Sequence, residues 1–92
     1  MELDGQRQRN ALTAAERAVE ALSGGATERA AMNAAKAADL DQLGLFAQLP
    51  AAIARAAADL DAGSVVAPAT WETVRAAVPP GPLQALVDSL SG

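Results

Sequence analysis

Along most of the chain, apolar residues return every third and fourth position with polar residues between them. That period belongs to helices that bury one face. Leu12, Ala15, Val19 and Leu22 form the first stripe and predict a helix over 10–22, with Glu16, Arg17 and Glu20 off it. Ser23-Gly24-Gly25 ends the run, because a glycine pair supplies the left-handed turn that closes a helix. A second helix is predicted over 27–40, with Glu28 suited to its positive end. It is alanine nearly all round from Ala30 to Ala38, and Met32 is its one large apolar residue before Leu40. Asp41 reads as a cap for the next helix. Leu45, Leu49, Ile53, Ala56 and Leu60 keep a single stripe across Pro50 and predict a third helix over 45–61, stopped by Gly63. Thr70 is placed to cap a fourth over 71–78, whose inner face carries Trp71, Val74 and Val78. Pro79-Pro80-Gly81 breaks the chain, and Pro82 opens a fifth helix over 82–90 with Leu83, Leu86, Val87 and Leu90 in a stripe. Val65-Val66 is too short an apolar run to found a sheet.

These elements predict an all-α fold, a small bundle of four to five short helices. The polar residues 1–9 read as a flexible segment ahead of a single helical domain over 10–92. The first two helices are expected to pair as an antiparallel hairpin through their alanine faces. The third crosses them with Leu45, Leu49, Ile53 and Leu60, and the last two close the remaining side. Ala-Ala-Asp-Leu-Asp recurs at 37–41 and 57–61, a small echo at the ends of two helices.

Composition changes this picture in one respect. The apolar fraction is 51%, but 25 of the 92 residues are alanine. Alanine has the best helix propensity and buries little surface. A chain of this length with so thin a core is close to the limit of independent stability. Part of its stability is therefore expected from a second copy or a protein partner. A cooperative monomer whose melting temperature ignores concentration would contradict that.

The residue types present remove most chemistry. Cysteine, histidine and tyrosine are absent, which takes away thiolates, disulfides, the commonest metal ligand and the commonest general base. Neither Asp39 nor Asp59 starts a calcium loop: the fifth and twelfth places fall on Leu43 and Pro50, or on Gly63 and Thr70. The acids read as helix surface and caps, with no pocket to split their pKa values. No enzyme, cofactor or metal is expected. Net charge is −4 with scattered cations, so no nucleic-acid footprint is visible. No apolar run reaches membrane-span length, and the start Met1-Glu2-Leu3-Asp4 is acidic where a signal peptide is basic. The expected place is the cytoplasm, away from membranes. Six arginines to one lysine suit a GC-rich bacterial genome.

Residues 11–42 resemble one tetratricopeptide unit. The likeness rests on Gly25 at the inter-helix turn, Ala30 and Ala37, and the ending Lys36-Ala37-Ala38-Asp39-Leu40-Asp41. Gln42 stands where that family usually has proline, and Arg17-Ala18 replaces its usual Leu-Gly. The resemblance implies a protein-interaction scaffold without catalysis, although the chain is too short for the usual stack of three units. Asp88-Ser89-Leu90 resembles the triplet at which acyl carrier proteins receive phosphopantetheine; here Ser89 ends a predicted helix instead of opening one. The expected function is a non-enzymatic interaction module, acting by apolar helix packing on a protein partner or in a homodimer. A carrier or small-ligand-binding protein, or a small regulatory subunit, is the alternative. The residues expected at the partner surface are Phe46, Leu49, Ile53, Trp71 and Arg75, the last two an i, i+4 pair able to form a cation–π contact, while Trp71 on its stripe and Phe46 one position off the Leu45–Leu49–Ile53 stripe also read as core.

Overall fold

Long runs of alanine, glutamate, arginine and glutamine favour helix before any packing occurs, and the computed structural model is helical throughout its regular parts. The elements are α1 (Glu2–Ser23), α2 (Thr27–Leu40), α3 (Leu49–Asp61), α4 (Pro68–Ala76) and α5 (Pro82–Ser91). The structure describes the backbone of residues 2–78 and 80–91, and side chains from residue 5 to residue 90 except at position 79. Pro79, read as part of the break before the last helix, lies outside the described residues. No strand occurs among the described residues, and the fold is an all-α bundle.

Two glycines set the hairpins. Gly25 has φ +79°, and the Ala26 N–H donates to the Ala21 carbonyl at 2.9 Å while the Gly25 N–H donates to Leu22 at 3.2 Å. Gly63 (φ +74°) closes α3 in the same way, with Ser64 N–H donating to Asp59 at 2.8 Å and Gly63 N–H to Leu60 at 3.0 Å. Both are left-handed caps that satisfy the last carbonyls of a helix. The first reverses the chain, so α1 and α2 run antiparallel. Their far ends are tied: an Arg7 Nη donates to the Asp39 carbonyl at 3.2 Å, and Gln8 Nε2 donates to an Asp41 carboxylate oxygen at 3.0 Å.

The hairpin seam is made of methyl groups. Ala11, Ala14, Ala15 and Ala18 on α1 and Ala30, Ala34 and Ala37 on α2 are buried. Small side chains let helix axes approach to the short end of the usual 8–10 Å range. α3 packs on α2 and α1, α4 on α3, and α5 on α4 and back on α1. The larger core side chains, Phe46, Leu49, Ile53, Val19, Val74 and Val87, fill the space between these layers. The Thr27 hydroxyl donates to the Asp61 carboxylate at 3.0 Å, joining the start of α2 to the end of α3. The radius of gyration is 12.4 Å, close to the ~12 Å of a compact chain of this length.

Several boundaries differ from the sequence pattern. α1 begins at Glu2, eight residues before the predicted start, so residues 2–9, read as a segment ahead of the helical domain, belong to its first helix. Glutamine and arginine there are good helix formers, and Arg7 and Gln8 anchor on the end of α2. α3 begins at Leu49, since residues 45–48 form a turn held by Asp41. α4 begins at Pro68, ahead of Thr70; proline at the first helical position has no N–H to leave unpaired. Thr70 is therefore inside the helix and buried, where the sequence placed it as a cap. Leu12, Leu45 and Leu60, expected in the core, are 36%, 46% and 38% exposed. The alanine column of α1 takes the position of closest approach and turns Leu12 to the rim. Leu45 lies in the turn, and Leu60 comes in the final turn of α3. The two Ala-Ala-Asp-Leu-Asp segments are not equivalent, since Asp41 lies beyond its helix and Asp61 ends its own.

Candidate interaction surface

The five residues expected at a partner surface separate in the structure. Phe46, Leu49 and Ile53 point inward, with Phe46 1% exposed and the other two 0%. They are the inner wall of α3 and its preceding turn, so in this fold they are structural and are not available as surface. Trp71 is half-buried and packs against the core. Arg75 is exposed and forms an ion pair with Asp88, which links α4 to α5.

The large apolar side chains that do meet solvent are others. Val65 is 93% exposed, Met32 73% and Leu43 70%. Leu43 and Val65 sit in the turns before and after α3, whereas Met32 stands in the middle of a helix. Its position follows from the geometry of α2. Ala30, Ala34 and Ala37 point into the bundle, so the residues half a turn away, Glu28, Met32, Lys36 and Asp39, form an outward ridge. Beside that ridge runs a groove of about 1000 Å³ between α1 and α2, near their connecting turn. Ala21 at the end of α1 and Gly24 just beyond it line the groove with little or no side chain. Its walls carry Arg17, Arg29 and Lys36 against Glu20 and Glu28, with Met32 among them. One signal for this surface was present in the sequence: Met32 is the lone large apolar residue in a helix whose buried face is satisfied by alanine. The periodicity pointed elsewhere because it favours stripes of large residues, and here such stripes are interior.

The most connected polar group is Asp41. Its carboxylate accepts hydrogen bonds from the Phe46 N–H, from the Leu43 N–H at 3.1 Å and from Gln8 Nε2, while Gln8 Oε1 accepts the Gln42 N–H at 2.8 Å. Burial of the carboxylate opposes its charge. The hydrogen bonds from Phe46, Gln8, Leu45 and Leu43 outweigh that and hold its pKa below the ordinary value of 3.8. All four donors belong to the fold, which makes this a structural clamp on the α2–α3 turn.

Among the described residues, no buried side-chain nitrogen or oxygen lacks a partner, no three carboxylates gather as metal ligands, and no helix is long and apolar enough to cross a membrane. Ser89 is exposed near the end of α5. Comparison with protein-family models, with curated proteins and with solved structures gives no match to this chain.

Proposed function

We propose that this chain is a non-enzymatic protein-binding module that works by apolar contact between helices, in the cytoplasm. The observation that carries the reading is the distribution of large apolar residues. The interior is closed largely with alanine, yet Met32, Leu43 and Val65 are left mostly in solvent. Leu43 and Val65 lie in turns, where exposure follows from the path of the chain. Met32 lies mid-helix and lines the groove between α1 and α2, on a surface of mixed charge. An unbranched thioether adapts to irregular partner surfaces, which is why methionine is frequent at such sites. The resemblance of residues 11–42 to a tetratricopeptide unit supports the same reading.

The test is binding by the purified chain, immobilised and exposed to host extract, together with its mass in solution. The reading predicts either a stable hetero-complex or self-association, lost in Met32→Asp. Because Met32 is exposed, that variant keeps the wild-type fold by circular dichroism. A chain that stays monomeric at high concentration and retains no protein would overturn the reading.

A further inference from the structure

We propose that the occupant of the α2 ridge is a second copy of this chain, docked antiparallel about a two-fold axis through Met32. The inference rests on the binding-module reading and names its partner. Glu28, Met32 and Lys36 are spaced by four and stand on one exposed line of α2. Glu28 and Lys36 are two turns apart, roughly 12 Å along the axis. The ion pair seen among the described residues, Arg75 with Asp88, involves neither of them. Antiparallel superposition about residue 32 brings Glu28 of each copy opposite Lys36 of the other, and Met32 against Met32. The ridge is thus complementary to itself in charge, as an interface between identical copies requires.

The rest of the molecule favours this face over others. Net charge is −4 per chain, so two copies repel over most of their surfaces. The α1–α2 groove carries both signs, three cations and two carboxylates, so charges there can pair across a two-fold axis. Ala21 and Gly24 line the groove with little or no side chain, which leaves room for a second helix to come close. The exposed Leu43 and Val65 stand in the segments before and after α3, not on a helix line that could pair with its own copy. A single helix ridge with its groove is a small interface, so the dimer is weak and salt-sensitive.

Sedimentation equilibrium of the full chain, from about 10 µM to about 1 mM at low salt, reads the association directly. The expected result is a reversible monomer–dimer equilibrium. Lys36→Glu alone, or Glu28→Lys alone, puts like charges opposite each other twice and weakens the dimer roughly tenfold. The double variant Glu28→Lys/Lys36→Glu restores the opposite pairs and returns the dissociation constant to near the wild-type value. All these positions are exposed, and circular dichroism checks that each variant is folded. A wild-type chain that stays monomeric over the whole range overturns the inference. So does a dimer that the single reversals leave intact, or that the double reversal fails to rescue. A monomer that still captures a host protein through Met32 rejects the homodimer and keeps the binding-module reading; a monomer that captures nothing rejects both.

Discussion

At Asp41 three parts of the chain meet: the first turns of α1, the end of α2 and the turn into α3. Its folded pKa is depressed, so the carboxylate stabilises the fold above its unfolded value. That contribution disappears as pH falls through the folded value, below the ordinary 3.8. Urea denaturation at neutral and strongly acidic pH should therefore show a loss of stability on the acid side that is smaller in Asp41→Ala. At neutral pH the same substitution should cost about 1–2 kcal/mol, as loss of a helix or turn cap does. Phe46, whose N–H the carboxylate holds, is the largest fully buried side chain. Phe46→Ala should lower stability by about 3–5 kcal/mol, measured from the same denaturation curves. From the sequence, Phe46 sits one position off the Leu45–Leu49–Ile53 stripe, which suits either a wider core face or a partner contact; the structure takes the first. The Asp41 clamp turns it inward and leaves Leu45 outside, and no periodicity carries that information.

At the scale of elements, the helices and their stops were legible where local chemistry decides. α2 runs over the residues predicted, because alanine propensity, Glu28 and the glycine pair all agree. Gly63 stops α3 as read, with its backbone left-handed at φ +74°. Gly63→Ala should cost about 1–2 kcal/mol, the penalty of a Cβ in that region, and the thermal midpoint reports it. The inward faces were legible too, since Val19 and Leu22, Leu49 and Ile53, Val74 and Val78, and Leu83 and Val87 are buried as read; what was not legible is which stripe residues are displaced to the rim. α1 presents Ala11, Ala15 and Ala18 to its neighbours and turns Leu12 away, since close approach of two backbones outweighs the burial of one leucine. This alanine seam yields a prediction of its own. Ala34→Leu adds volume where both helices are closest, and it should destabilise the fold by about 1–3 kcal/mol through overpacking. The same substitution at exposed Ala35 should be nearly neutral, and paired denaturation curves separate the two.

For the whole molecule, the seam explains both the shape and the leftover surface. Five short helices close on one another with few large side chains, and α5 returns to α1 to complete the circuit. With alanine filling the hairpin, Met32 has no place inside and stands on the ridge. The central claim is this division of apolar residues between inside and outside. Methyl NMR of a dilute sample with a soluble paramagnetic agent measures it residue by residue. The account predicts fast relaxation of the Met32, Leu43 and Val65 methyls and slow relaxation of those of Leu49, Ile53 and Val74. Leu49 and Ile53 relaxing as fast as Val65, with Met32 protected, would contradict it.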